Sequence, residues 1–237
     1  VRLRWLTIAV LVVVWQSVCR SDSYVAPPSE VFTTGLAYLA DRETLTALGV
    51  TTTRFLGAFA ITAVLGVVVG LAVGRTGRMV PPARDILAVL YTLPLVPFYP
   101  LFVLWFGLGF RSEVAFGAIH GVVPVVLGTM AASARVDETL ITATRSMGAG
   151  RARVLTMVVL PATLPDVVGA LRIGAALSLL GVLLAELMVS VDGVGRVVAA
   201  LVANLRGPEL DAVILAVCAG AAVVNAALQA GERRLSR

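Results

Sequence analysis

Apolar residues run almost unbroken through six stretches, Leu3 to Cys19, Thr53 to Gly74, Ile86 to Leu108, Val114 to Ser133, Val167 to Leu187 and Leu210 to Gln229. A helix needs about 20 such residues to cross a hydrocarbon core, so each run predicts a membrane span, the first being the shortest. Two further segments carry helical periodicity without the length to cross. Val31, Phe32, Leu36, Leu39 and Ala40 fall on one side of a helix that Ser29 can cap. Val194, Val197, Val198, Leu201, Val202 and Leu205 repeat at three-four spacing, with Pro208 expected to close that segment. Both are predicted to lie along the bilayer surface. The pattern therefore predicts an all-α membrane protein of about six transmembrane helices, residues 1–237 forming a single transmembrane domain with its core at 49–230.

One long polar and basic insert interrupts the second half of the chain, from Asp137 to Pro165. Asp137 stands where a helix N-cap would, able to take the orphan amides of the next turn, and Glu138 follows where the helix dipole favours negative charge. The helix is expected to run to about Met147, because Gly148 and Gly150 follow and glycine takes the left-handed conformation that ends helices. A second segment, Arg151 to Leu160, leads back to the bilayer and meets Pro161, which lacks a backbone donor and is expected to break the ladder.

Several residues inside the runs invite a second reading. Gly66 and Gly70 form a small-xxx-small pattern that lets helix backbones approach, either within the chain or between two copies. Pro94, Pro97 and Pro100 are enough to bend or break the third run, leaving either a kink or irregular backbone along a solute path. His120, the single histidine, either satisfies itself on a neighbouring carbonyl or lines that path. Arg172 can snorkel to headgroups, and Glu186 either guards the outer mouth or reaches solvent.

Composition narrows the function. Mean hydropathy is +0.96, and only 14% of residues are charged, which excludes an ordinary soluble domain. All the positive charge is arginine, and without lysine the Walker A phosphate-binding sequence is excluded. No Ser/His/Asp set and no metal-ligand spacing is present, so the chain is predicted not to be an enzyme, with neither cofactor nor metal. Cys19 and Cys218 are expected to be unpaired. The net charge of +5 is scattered between apolar runs, which suits anionic lipid and not nucleic acid. Arginines and their neighbours distribute so that both termini and the Asp137 to Pro165 loop are predicted to be cytoplasmic.

The loop resembles that of the membrane subunits of bacterial ABC importers, whose signature is Glu-Ala-Ala, a glycine a few residues on, and Ile/Leu-Leu-Pro downstream. Here the match reads Thr142-Ala143-Thr144, Gly148 and Val159-Leu160-Pro161, with Thr142 in place of the glutamate. Pro28-Ser29-Glu30-Val31-Phe32, the segment Pro100, Leu101, Trp105, Phe106, Gly107, and Leu184-Ala185-Glu186-Leu187-Met188 resemble the sulfonate, taurine and nitrate branch. The resemblance implies the type I importer (MetI-like) architecture with a cytoplasmic coupling helix in loop 137–165. It implies coupling through Asp137, Ile141, Thr142, Ala143, Arg145, Gly148 and Pro161 to separate ATPase subunits, where ATP would be hydrolysed. The remaining implied partners are an extracytoplasmic solute-binding protein docking on segments 22–52 and 192–211, and a second copy or a paralogous permease. Location in a bacterial inner membrane follows, with a small, often anionic solute such as a sulfonate, taurine, nitrate or bicarbonate, or a thiamine-precursor pyrimidine, as cargo. The solute path would take in Pro94, Pro97, His120 and Glu186. The alternative is a secondary transporter or channel, which would be expected to carry inverted repeats or several intramembrane carboxylates.

Overall fold

The computed structural model describes residues 6, 7, 10, 13–17 and 26–235, so the first apolar run, Cys19 and the extreme ends lie largely outside the described residues. Every regular element within them is helical. The helices are α1 (Pro28–Leu39), α2 (Arg42–Gly74), α3 (Val80–Thr92), α4 (Tyr99–Phe106), α5 (Phe110–Ala134), α6 (Glu138–Ser146), α7 (Arg151–Val154), α8 (Leu160–Val189), α9 (Val194–Ala203) and α10 (Gly207–Leu235). Four stretches, Arg42–Gly74, Phe110–Ala134, Arg151–Val189 and Gly207–Glu232, are long and apolar enough to cross a membrane. They contain four of the six expected runs and extend past them, because a helix continues beyond its apolar stretch until a cap or turn stops it.

The third run is broken. Val80–Thr92 and Val96–Phe106 meet at a bend of 80°. Leu93 turns extended with ψ 132° just before Pro94, as the residue preceding a proline is driven to do. A 3-10 turn, Val96–Phe98, carries Pro97 and leads into α4.

The chain divides into two compact units, one of Val1–Thr52 with Glu186–Gly220, the other of Thr53–Ala185 with Ala221–Arg237. In the larger, α2, α5 and α8 approach through small residues. A methyl group on Gly66 would meet Val125 Cβ at 2.6 Å, one on Gly70 would meet Thr129 Cβ at 2.6 Å, and one on Gly74 the Met130 carbonyl at 2.6 Å. The glycine pattern thus serves packing within the chain. Where the three helices meet, the buried Thr62 hydroxyl lies 2.9 Å from that of Ser178 and 3.1 Å from the Ala118 carbonyl. A methyl group on Gly121 would strike both hydroxyls. Ala58, Val114, Ala118 and Val182 close the apolar layer beside this junction.

In the smaller unit α1 is clamped on α10, with Ala26, Val31 and Ala212 in a buried cluster that Trp15 and Leu39 cover. The N-cap of α1 is Pro27, with Pro28 at the first helical position, where its missing N–H costs nothing. Ser29 is therefore inside the helix, just after Pro28, and its amide donates to Gln16 Oε1 at 3.2 Å. Helix α9 buries Val194, Val197 and Leu201, as its periodicity predicts. Its closure, however, is not due to Pro208. Leu205 adopts φ 54°, and the amides of Leu205 and Arg206 return to the Val202 and Leu201 carbonyls at 3.2 and 3.0 Å. Pro208 instead opens α10, again near a helix start.

Candidate functional site

The polar insert folds as its local chemistry dictates. Asp137 Oδ1 accepts the Thr139 amide at 2.8 Å and starts α6. That hydrogen bond holds the Asp137 carboxyl below its ordinary value, since it favours the charged form. At the other end Gly148 has φ 84°, its amide donates to Arg145 O at 2.9 Å, and the Ala149 amide donates to Thr144 O at 3.3 Å. This pair of bonds around one left-handed residue is a Schellman corner. Gly150 is extended, with φ −71° and ψ 170°, and begins α7. Of the two glycines only Gly148 makes the turn.

Pro161 does not break the return segment. A π turn, Leu155–Val159, precedes it, in which the Leu160 amide reaches the Leu155 carbonyl. The wider turn absorbs the carbonyl that a proline ring would strike four residues back, so the helix continues through Pro161 to Val189.

Helix α6 is fastened on one side and bare on the other. Ile141 is 0% exposed and packs with Leu71, Val154 and Val159. Arg75 donates to the Ser133 carbonyl at 3.1 Å and forms an ion pair with Glu138, and Arg135 pairs with Asp166 at 2.9 Å. Thr142, Ala143 and Arg145 are exposed. So are two residues that the loop signature did not single out, Leu140 and Met147, the latter 87% exposed. Leu140, Ala143 and Met147 follow helical spacing, which leaves an apolar stripe on the outward side of α6.

Of the residues expected along a solute path, Pro94 and Pro97 are exposed at the break. His120 Nδ1 lies 2.8 Å from the Phe116 carbonyl of its own helix, and because a carbonyl only accepts, Nδ1 is the donor. Phe116 stacks edge-on against His120, Tyr99 and Phe102 at centroid distances of 4.5, 5.0 and 5.3 Å. Through that ring the structure links His120 to the helix that follows the proline break. Glu186, in the smaller unit, does not reach solvent. It is 1% exposed and accepts hydrogen bonds from Thr51 and from the Gly195 amide.

Two other charged arrangements escaped the sequence reading. Arg54 and Glu113 form an ion pair with side chains 4% and 0% exposed. Arg172 does not extend to headgroups unaccompanied: it donates to Asn225 Oδ1 at 3.0 Å and pairs with Glu232 at 2.9 Å. Among the described residues no group of His, Cys, Asp and Glu could hold a metal ion.

Comparison with known proteins gives this arrangement a family. The model of the binding-protein-dependent transport system inner membrane component matches residues 62–237. The taurine transport system permease protein TauC of Escherichia coli (strain K12) is 31% identical over 241 residues, covering 98% of this chain and 86% of TauC. The aliphatic sulfonates transport permease protein SsuC of Bacillus subtilis (strain 168) is 28% identical over 194 residues, covering 80% and 70% of the two chains. A solved chain of the inward-facing MetNI methionine ABC transporter superposes with a TM-score of 0.64 at 17% identity, over 83% of this chain and 100% of that one, a likeness of fold. The chain belongs to the binding-protein-dependent transport system inner membrane component family and is a multi-pass permease subunit of an ABC importer.

Proposed function

We propose that this permease is a passive gate driven through α6 by ATPase subunits that hydrolyse ATP on a separate chain. One observation carries the reading: α6 is anchored inward by Ile141 yet bares Leu140, Ala143 and Met147, a stripe that nothing within the described residues covers. An apolar stripe suits a hydrophobic groove on a partner, and the rigid Asp137 cap and Gly148 corner would transmit its movement to the spans. Two copies of the chain, or one copy and a paralogue, enclose the path, with both termini and loop 137–165 in the cytoplasm. Closure of the ATPase pair draws the two α6 helices together. Because only contacts that differ between two states shift their populations, the partner's grip must change with nucleotide.

Outside, segments 22–52 and 192–211 receive a solute-binding protein. The cargo is a small solute, and the taurine and sulfonate transport named for the relatives favours a sulfonate-like anion. Cysteines placed at Leu140 and Met147 are expected to cross-link to the ATPase subunit in membranes, and the extent should change with ATP. A cysteine at Ile141 is expected to stay silent, since that side chain faces inward. Absence of cross-links at both exposed positions, with the ATPase present, would overturn the docking.

A further inference from the structure

Three arginines converge on a cavity of about 430 Å³ at the foot of two spans. Arg75 follows Gly74, the last residue of the span Arg42–Gly74, and Arg151 is the first residue of the span Arg151–Val189. Arg145 reaches the same cavity from α6, while Leu71, Val154 and Leu155 supply apolar wall. Arg75 is already matched by Glu138. Among the described residues no carboxylate lies within ion-pair distance of Arg145 or Arg151, so the cavity keeps two uncompensated positive charges.

We infer that this cavity binds the phosphodiester headgroup of an anionic phospholipid from the leaflet that surrounds loop 137–165. Two features select a lipid. Arg75 directly follows the apolar run Thr53 to Gly74 and so stands at headgroup depth, Arg151 lines the same cavity, and arginine forks match phosphate oxygens bidentately. The apolar wall on the span side accepts the glycerol and the first methylenes, which a free phosphate lacks. The cavity volume lies within the roughly 300–1,000 Å³ of small-molecule sites. An occupied cavity would tie α6 to the ends of α2 and α7 through the lipid, and anionic lipid would thereby stiffen the loop. The inference concerns the side of α6 that faces its own chain and stands whether or not an ATPase grips the other side.

The test uses the full-length permease purified without its ATPase, with native mass spectrometry counting retained phosphatidylglycerol against phosphatidylcholine. The parent protein is expected to retain phosphatidylglycerol selectively. The double variant Arg145→Gln/Arg151→Gln is expected to lose that retention about tenfold, Arg145→Lys/Arg151→Lys to recover part of it, and Arg78→Gln/Arg84→Gln, at arginines that do not line the cavity, to leave it unchanged. Matching elution of the variants in phosphatidylcholine controls for folding. Equal retention by the glutamine double variant and the parent overturns the inference. So does displacement of the lipid by millimolar inorganic phosphate, which would make the site one for a soluble anion. Unchanged lipid retention in the glutamine double variant, together with loss of binding when purified ATPase subunit is added back, would likewise overturn it, by assigning the cavity to a protein contact.

Discussion

The Thr51 hydroxyl donates to the Glu186 carboxylate, at 2.9 and 2.8 Å from its two oxygens, and accepts the Val194 amide at 2.8 Å. Glu186 Oε2 in turn accepts the Gly195 amide at 2.9 Å. Two of the amides that the start of α9 leaves without intrahelical partners are thus satisfied from α2 and α8, and a carboxylate sits at the positive end of the helix. Gly195 permits the approach, because a methyl group there would come 2.7 Å from the Leu187 amide nitrogen.

Glu186→Gln keeps the size but offers one acceptor oxygen without charge, and hydrogen bonds to charged groups contribute about 1.5–3 kcal/mol. The variant is expected to unfold at a lower temperature in detergent, with α9 losing amide protection first. Gly195→Ala should do the same through steric push alone. If α9 exchanges no faster in either variant, the carboxylate is not what holds it.

The buried pair Arg54 and Glu113 makes a different prediction. Removing one partner strands a charge in a place that water does not reach, which costs about 3–5 kcal/mol, whereas removing both and filling the space is often near neutral. Arg54→Met and Glu113→Leu are each expected to reduce the yield of folded permease sharply, and the double variant to recover most of it. Thermal unfolding of the three variants decides the matter; additive losses would mean the two residues act separately.

Legibility in the sequence followed the range of the interaction. Asp137 and Gly148 were readable because a cap and a left-handed corner depend on residues within five positions along the chain. The buried side of α9 was readable for the same reason, since periodicity is local. Three helix boundaries were misread where a neighbouring residue outcompeted the obvious signal. Pro27 and Pro28 start α1 in place of Ser29, Leu205 closes α9 ahead of Pro208, and the π turn at Leu155–Val159 relieves Pro161.

Partners distant in sequence were not readable at all. Nothing near Arg54 announces Glu113, nothing near Arg172 announces Asn225 or Glu232, and Thr51 looks like any helix threonine until Glu186 is brought beside it. The outward side of α6 was hidden too, because choosing between Ile141 and Leu140 as the inward residue requires knowing where Leu71 and Val159 lie.

Asp137 carries a pH dependence whose sign follows from its hydrogen bond to Thr139. Its folded-state value is lowered from the ordinary 3.8, so the cap is fully present above that value and is lost as pH falls through the folded one. Protection of the Thr139 amide against exchange should be constant above about pH 4 and decline below it. Asp137→Asn retains an oxygen acceptor and should give a flat profile over the same range. A decline of equal size in the asparagine variant would trace the change to another group.

Gly148 is the residue through which the loop should be most easily disabled without harm to the spans. Its φ of 84° is unfavourable for a side chain, yet nothing lies within 4 Å of where a Cβ would stand. The cost of substitution is therefore conformational, roughly 1–2 kcal/mol for most residues, less for asparagine and more for a β-branched one. Gly148→Val is expected to insert normally, lose the Ala149 to Thr144 bond and reduce solute uptake strongly, whereas Gly148→Asn keeps most of it. The comparison separates shape from bulk, since valine and asparagine fill similar volume in the same open space. Uptake that falls equally in both variants would point to crowding by a partner at this corner, and normal uptake by Gly148→Val would mean that the corner does not transmit motion.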